Sequence, residues 1–514
     1  MGYLLGIDVG TSGTKALLIE PGGQVAARST REYPLSTPQP GWAEQDPEDW
    51  WNASVSAIHD VLQIAGARGS DVLAVGLSGQ MHGAVLLGKS DEVLRPAILW
   101  CDQRTASQCA WITETVGRDR VVDLTMNPVL TGFQAPKVIW VRDHEPDVYA
   151  KVRRILLPKD FIRQRLTGEY ATEVSDASGT SFFNVKERCW ADPILSALQI
   201  PREWLPAAYE SYEVSGQVTQ DAARLTGLRA RTPVVGGGGD QAAGAIGNGI
   251  VRSGVVSSTV GTSGVVFAFA DAPFQDPHLR VHTFCHAVPG KWHVMGVMLS
   301  AGGSLRWLRD TIADSERSVA AAIGQDPYDL MSQEAMRAPA GSEGLLFLPY
   351  LTGERTPHPD PDARGVFFGL GLRHNKSHLV RSVMEGVAYG LRDSFEIFRE
   401  MGVAVDQVRA SGGGSRSHLW QQIQADVTGY AHSTINVDEG PALGAAILAG
   451  VGSGVYSSVE SACDDVIRVT TSTEPDARAM AIYERYYRVY RDLYPALKPV
   501  FKADAEAVHA CAQG

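Results

Sequence analysis

The chain has 514 residues, enough for roughly two to four domains. Hydrophobic residues make up 44% and charged residues 20% of it, so it can bury a large core and is not a disordered protein. The net charge of −12 argues against a dedicated nucleic-acid-binding protein, which usually carries a basic face.

The six cysteines include no Cys-x-x-Cys pair, which favours free thiols in a reducing compartment over a disulfide framework. The start of the chain lacks the basic and small-residue flanks of a signal peptide. No uninterrupted apolar stretch is long enough to span a bilayer. We therefore expect a cytoplasmic protein that binds neither a membrane nor a nucleic acid.

The first predicted element is a β-hairpin, in which the apolar runs 3–7 and 16–19 flank a glycine-rich turn. The turn can aim backbone N–H groups, hydroxyls and an ammonium at one point, as a phosphate chain requires. Its candidate phosphate ligands are Thr11, Ser12, Gly13 and Lys15. Asp8, at the end of the first run, could hold Mg²⁺ through water. An ordinary hairpin turn is the alternative.

A helix is predicted to begin near Asp46, which can cap it, with Pro47 in its first turn. Further along, the predicted strand 72–75 leads into Gln80-Met81-His82, whose side chains suit sugar hydroxyls and an apolar wall. A structural histidine is the alternative there. Asp102 also follows a predicted strand, either as a substrate ligand or in a surface ion pair with Arg104.

Three other motifs fail on their context. Residues 83–90 match the Walker A pattern, but their middle, Ala-Val-Leu-Leu, favours a strand, and no helix can follow. Gly6-Ile7-Asp8 places an acid where a dinucleotide fingerprint needs glycine. The residues His282, Cys285 and His286 have no evident fourth ligand for zinc.

The run Gly236–Gly239 follows a short apolar strand and allows the close approach of a ligand or another backbone. Asp240 then begins a helix of small residues. A carboxylate there could accept the proton of a reacting hydroxyl, or it could serve as an N-cap, and both roles are compatible.

A weak internal repeat connects the two halves. Gly261–Gly264 repeats the turn Gly10–Gly13 at an offset of 251 residues, again between strand-like runs. Two similar halves would face each other across a cleft. Later, Gly412–Ser417 could hold an adenine ring or a pyrophosphate, or could be a flexible loop. A late helix is predicted over about 475–494.

Taken together, these motifs resemble the FGGY family of carbohydrate kinases over nearly the whole chain. Residues 365–385 fit its C-terminal signature, and residues 133–140 fit an earlier one, with Gln134 departing from the usual small hydroxyl residue or proline. Three segments look particularly like family members that act on D-xylulose: Trp42–Pro47, Gln80–Gly83 and Phe347–Arg355.

The resemblance implies an α/β, actin-like ATPase fold with two ribonuclease-H-like domains around a central cleft. We expect domains at 1–231 and 232–495 and a tail at 496–514. It implies transfer of the γ-phosphoryl group of ATP to O5 of D-xylulose with Mg²⁺. Asp240 matches the catalytic base and Asp8 the metal-associated acid. Met81, His82 and Gln241 match sugar contacts. The first phosphate loop is matched by Thr11, Ser12, Gly13 and Lys15.

On the second half, the residues that match nucleotide contacts are Thr262, Gly302, Arg306, Gly413, Gly414 and Ser417. The family also leads us to expect a homodimer. Two alternatives stay open: a kinase for ribulose, L-xylulose or ribitol, and an actin-like ATPase switch that would need neither the sugar residues nor a base at Asp240.

Overall fold

The computed structural model describes residues 2–436 and 439–512. Each half of the chain is built on a seven-stranded sheet, and the two sheets share a plan. The first has the order β13-β14-β5-β1-β2-β3, with β15 also paired to β5, and the second has the order β18-β19-β17-β16-β22-β23-β24. In both, an antiparallel hairpin leads into parallel strands, which confirms the expected two-domain, actin-like α/β fold.

The strands of the first half are β1 (Tyr3–Val9), β2 (Gly13–Ile19), β3 (Val25–Glu32), β4 (Glu44–Gln45), β5 (Val72–Gly79), β6 (Val85–Leu87), β7 (Ala97–Ile98), β8 (Arg154–Leu156), β9 (Ala171–Glu173), β10 (Phe183–Asn184), β11 (Cys189–Trp190), β12 (Ala207–Tyr209), β13 (Val214–Gln217), β14 (Pro233–Val235) and β15 (Gly238–Gly239). Its α-helices are α1 (Pro47–Ala65), α2 (Ala106–Val116), α3 (Arg118–Thr125), α4 (Gln134–His144), α5 (Pro146–Tyr149), α6 (Pro158–Thr167), α7 (Val174–Ala177), α8 (Asp192–Leu198), α9 (Gln220–Thr226) and α10 (Asp240–Gly247).

The strands of the second half are β16 (Gly254–Val260), β17 (Gly264–Ala270), β18 (His282–Cys285), β19 (Trp292–Met298), β20 (Leu346–Leu348), β21 (Val366–Phe368), β22 (Val405–Ser411), β23 (His432–Ile435) and β24 (Val469–Thr473). Its α-helices are α11 (Gly302–Ile312), α12 (Asp314–Ile323), α13 (Pro327–Ala335), α14 (Lys376–Glu400), α15 (His418–Thr428), α16 (Gly440–Gly452), α17 (Val459–Val466) and α18 (Ala477–Ala512). Short 3₁₀ helices lie at Ser178–Thr180, Arg202–Trp204, Ser342–Gly344 and Gly413–Arg416.

The predicted internal repeat is present as two equivalent hairpins. The hairpin β1–β2 and the hairpin β16–β17 begin at Tyr3 and Gly254, the same 251-residue offset as the repeated turns. The strand β6 lies inside the formal Walker A match, as its apolar middle predicted. Helix α1 is capped by the Asp46 side chain, which accepts from the Glu48 N–H, as the local pattern predicted.

The segment that follows position 231 contributes strands to the first sheet. Strand β14 pairs with β5 and β15 extends that edge, so both belong to the first sheet, and the second sheet begins at Gly254. At the other end, residues 496–512 continue helix α18 through two prolines, Pro495 and Pro499.

Helix α16 of the second half packs directly on strands of the first sheet. A Cβ at Gly6 or Gly76 would lie 1.9 Å from a backbone oxygen of Ala442 or Ala445, so glycine is required at this contact. A single apolar cluster therefore spans both halves, joining residues such as Leu17 with Phe267 and Ile447. Within residues 2–436 and 439–512, no helix combines the length and apolarity needed to cross a membrane.

Candidate active site

Three neighbouring strands of the first sheet end side by side and bring two carboxylates together. Strands β1 and β15 both run parallel to β5, with Asp8 and Gly238 opposite the same residue, Ser78. Adjacent strands lie about 4.8 Å apart. Asp240 follows two residues after Gly238, so Asp8 and Asp240 both lie at the carboxyl edge of the sheet, near the end of β5, which is the usual place for ligands in such folds.

The glycine run before Asp240 is what allows this placement. Gly237 adopts φ +73°, and a Cβ there would lie 1.9 Å from the Leu77 backbone oxygen, so no other residue fits against β5. The Gly239 N–H then donates to Ser175 Oγ at 3.1 Å. Asp240 is thereby held as the first residue of α10, in the position that the sequence predicted.

Both carboxylates have raised pKa values, and the charge of Asp8 contributes to the shift of Asp240. Burial, followed by the negative charge of Asp8, raises the pKa of Asp240 to about 7, although its contacts with Gln241 act in the opposite direction. Burial also raises the pKa of Asp8, opposed by the neighbouring Ser78 and by the charge of Lys15. A carboxylate whose pKa lies near neutrality is suited to accept a proton during catalysis.

A cavity of about 530 Å³ lies between the halves beside Asp240. Lys15 and Gln241, both predicted ligands, line it together with Asp240. From the second half, Arg416 and Glu439 complete this part of its wall. The ammonium of Lys15 is 3.1 Å from a Glu439 carboxylate oxygen, so it is already paired across the cleft.

A second cavity, of about 490 Å³, adjoins the first through Arg416. It brings together every nucleotide contact that the resemblance implied on the second half: Thr262, Gly302, Arg306, Gly413, Gly414 and Ser417. Arg306 donates to Thr262 Oγ1 at 3.1 Å, and Ser417 caps α15 by accepting from the Trp420 N–H. Six residues distant in sequence thus form one pocket.

The first phosphate turn is tied to its surroundings by its threonine. Thr11 Oγ1 accepts from Trp100 Nε1 at 2.9 Å and donates to Gln80 Oε1 at 3.2 Å. Ser12 is exposed, and Gly13 begins β2, where a Cβ would lie 2.7 Å from the Arg31 backbone oxygen. Sequence reasoning assigns Trp100 no role, yet its partly exposed indole is hydrogen-bonded to this turn.

Met81 and His82 follow β5, and Met81 lies beside the segment that leads into Asp240. The Met81 side chain contacts Gly239, the neighbour of Asp240, and Gly179. His82 has φ +70°, and its Nδ1 lies 2.7 Å from the Gly179 carbonyl oxygen. Burial, then the charge of Lys137, holds the pKa of His82 well below its usual value, so the ring is neutral.

Two predicted substrate ligands are placed differently. Asp102 is fully buried, and its carboxylate accepts from the Ala43 N–H at 2.7 Å and from the Arg104 guanidinium at 2.7 Å. Gln80 is also buried, and its amide bonds Thr11, Gly10 and Gln45. The polar atoms of both side chains already have protein partners, and the ion pair of Asp102 with Arg104 that the sequence offered as the alternative is present.

The two edge carboxylates fit a hard divalent cation. Asp8 Oδ1 is buried without a hydrogen-bond partner, and Asp240 is near enough for the charge of Asp8 to act on it. Magnesium is typically bound by one or two carboxylates together with substrate phosphate oxygens. In the described part of the chain, no three His, Cys, Asp or Glu side chains form a ready-made metal cluster, so phosphate oxygens would be needed to complete such a site.

Two similar α/β lobes with a cavity between them, lined by a carboxylate whose pKa is about 7, are the arrangement expected of a phosphotransferase with the actin-like ATPase fold. Residues 3–247 match the model for the FGGY family of carbohydrate kinases, N-terminal domain, and residues 256–453 match the model for its C-terminal domain. The chain belongs to the FGGY family of carbohydrate kinases.

Similar proteins cover almost the whole chain. A xylulose kinase of Escherichia coli strain K12 is 41% identical over 96% of this chain and 99% of its own length. A xylulose kinase of Bacillus subtilis strain 168 is 39% identical over 97% of this chain and 98% of its own length. A crystal structure of the corresponding Brucella ovis kinase, 37% identical, matches with a TM-score of 0.89 over 97% of this chain and all of that one.

Proposed function

We propose that the protein transfers the γ-phosphoryl group of ATP to O5 of D-xylulose, giving D-xylulose 5-phosphate and ADP. The observation that carries the proposal is the placement of Asp240. It lies at the carboxyl edge of the first sheet with its pKa raised to about 7, it lines the cavity that Lys15 also lines, and its neighbour Gly239 packs against Met81. The similarity to proteins named xylulose kinase supports the choice of sugar.

His82 supplies a directional contact for the sugar. A carbonyl oxygen can only accept, so Nδ1 carries the hydrogen that is donated to Gly179 O. The neutral ring then has Nε2 as an acceptor for a sugar hydroxyl. Met81 offers an apolar surface beside it. Together they bind the end of the ketose remote from O5 and direct O5 toward Asp240.

In the transfer step, an Asp240 carboxylate oxygen accepts the O5 proton while the O5–phosphorus bond forms. The bond between the γ-phosphorus and the bridging oxygen breaks, and that oxygen leaves with ADP. The transition state is loose, so positioning and charge stabilisation dominate. Closure of the two halves excludes water and aligns the two substrates.

The adenine and ribose of ATP occupy the cavity lined by Arg306 and Ser417, and the phosphates extend past Thr262 toward the turn at Thr11 and Lys15. Mg²⁺, when bound through Asp8 and phosphate oxygens, would offset charge on the transferred group.

A coupled ADP-release assay across D-xylulose, L-xylulose, D-ribulose, L-ribulose, ribitol and glycerol tests the proposal. We expect the highest kcat/KM with D-xylulose and little ADP release without a sugar. A higher value with another pentulose or polyol would reassign the substrate. Hydrolysis of ATP at the same rate without any sugar would instead identify an actin-like ATPase switch.

We further propose that the enzyme works in the cytoplasm, since all six cysteines are free thiols. The expected homodimer stays a prediction, which light scattering coupled to gel filtration would check.

A further inference from the structure

Lys137 is a fully buried lysine beside the proposed sugar site. It lies on α4, and its Nζ donates to His82 O at 2.9 Å and to Gly132 O at 2.6 Å. In the part of the chain that the structure describes, two backbone carbonyls hold its ammonium and no carboxylate pairs with it. Burial lowers its pKa to about 7. An unpaired buried cation is costly, so the contacts that it makes require an explanation.

The carbonyl that Lys137 binds belongs to an unusual residue. His82 is in the left-handed region, at φ +70°, which is uncommon for residues other than glycine and costs free energy that its contacts must offset. The other carbonyl precedes Phe133, whose ring centroid is 4.7 Å from that of His82. Lys137 therefore ties the backbone of His82 to the segment that carries its aromatic neighbour.

A second donor on the same helix acts on the next residue. Gln134 is buried, and its Nε2 donates to Gly83 O at 2.9 Å and to Leu156 O at 2.9 Å. Gln134 and Lys137 are three residues apart, so they share one face of α4. We call these two side chains the α4 clamp, because they hold the carbonyls of consecutive residues, His82 and Gly83.

We propose that the α4 clamp is the positioning device of the sugar site: it holds residues 82–83 in the conformation that places the His82 ring against Gly179 and leaves Nε2 facing the sugar. This inference rests on the proposed function. Neither side chain touches the reacting atoms, so both are positioning residues. Without the clamp, the backbone of residue 82 relaxes toward negative φ. The His82 ring then moves, and Nε2 can no longer accept a hydrogen bond from the sugar.

The kinetic test separates sugar binding from the rest of the reaction. Lys137→Met keeps the length of the side chain and removes its donors. We expect the KM for D-xylulose to rise by about tenfold or more, with the KM for ATP unchanged and kcat reduced less than about threefold. Arg142→Met is the matched control, because this cation of the same helix contacts Asp143 and Trp111 instead.

A double-mutant cycle with His82→Ala decides whether the clamp acts through the ring. If it does, Lys137→Met has little further effect on the sugar KM once His82 is removed. Equal effects in both backgrounds, or parallel rises in the KM for sugar and for ATP, would overturn the proposal in favour of a purely structural role. If Lys137→Met does not fold, Gln134→Leu is judged by the same criteria.

A structural readout keeps this test independent of the substrate assignment. Crystal structures of the parent and of Lys137→Met should show residue 82 at positive φ in the first and at negative φ in the second. Inactivity of the parent toward D-xylulose would count against the proposed function alone. An unchanged φ in the variant would overturn the clamp even with a fully active parent.

Discussion

The ammonium of Lys15 lies 3.1 Å from the carboxylate of Glu439, and this ion pair joins residues 424 positions apart in the sequence. Lys15 belongs to the phosphate hairpin of the first half, whereas Glu439 immediately precedes α16 of the second. Glu439 is buried and also pairs with Arg28. A phosphate that approaches Lys15 must therefore compete with a carboxylate.

This competition predicts that Glu439→Gln lowers the KM for ATP. A partly exposed ion pair is worth about 1 kcal/mol or less, so we expect a decrease of about two- to fivefold. Lys15→Met should raise the KM for ATP in both backgrounds. The exposed Glu506→Gln is the control. A higher KM for ATP in Glu439→Gln would mean that Glu439 positions Lys15 instead of competing for it.

Asp240→Asn should abolish most sugar phosphorylation while the protein stays folded. General-base catalysis typically contributes about 10²–10⁴-fold, so kcat should fall by that factor. The ADP-release assay measures the loss, and circular dichroism checks the fold. Asp221→Asn, a carboxylate paired with Arg224 on the surface, should keep parental activity. Near-normal turnover in Asp240→Asn would remove Asp240 from its role.

The raised pKa of Asp240 predicts an acidic limb in the pH profile. The free enzyme needs the ionised carboxylate, which is lost as the pH falls below about 7. We therefore expect kcat/KM for the sugar to fall by about tenfold per pH unit below that point. Steady-state kinetics between pH 5 and pH 9 check this, and a flat profile down to pH 5 would contradict it.

The same pKa predicts that Asp240→Asn is more stable than the parent at alkaline pH. A folded-state pKa near 7, against 3.8 for an unperturbed carboxyl, means that the charged form costs the folded state free energy above pH 7. The cost declines as the pH falls from 7 toward 4. At pH 8 we expect the free energy of unfolding of Asp240→Asn to exceed that of the parent by about 1–3 kcal/mol. This is less than the full pKa shift would give, because Asp240 is partly solvated.

Urea unfolding without substrates at pH 8, 6 and 4.5 measures this gain. Asp221→Asn should show no such trend, since its carboxylate is exposed. Equal or lower stability of Asp240→Asn at pH 8 would show that burial and Asp8 do not destabilise the charged form.

Arg306→Met tests the nucleotide cavity separately from the sugar site. The guanidinium lines that cavity and donates to Thr262 Oγ1 at 3.1 Å. We expect the KM for ATP to rise by about three- to tenfold, as is typical for the loss of one charge-assisted contact, with the KM for the sugar unchanged. Arg317→Met, which pairs with Asp314 on the surface, is the control. A rise confined to the sugar KM would place Arg306 elsewhere in the mechanism.

Local patterns in the sequence were sufficient for several elements of the fold. The hairpin around Gly10, the cap at Asp46 and the helix that begins at Asp240 follow from turn and capping preferences, which depend on neighbours in sequence. The repeated turn at Gly261 likewise predicted the second hairpin. Local patterns do not decide which sheet the short strand Pro233–Val235 joins, because a short strand carries no signal of its partner, and the structure pairs it with β5.

The sequence by itself determined the residue types that the chemistry needs: a carboxylate after a glycine run, hydroxyls and a lysine in a turn, and a polar pair after a strand. Only the tertiary structure decided which of these remain available to a ligand. Asp102 and Gln80 have the right chemistry but bond Arg104 and Thr11, and Lys15 meets Glu439 across the cleft. The physical reason is that a polar group bonds whichever partner the fold brings within about 3 Å, and for most of these groups that partner lies far away in sequence.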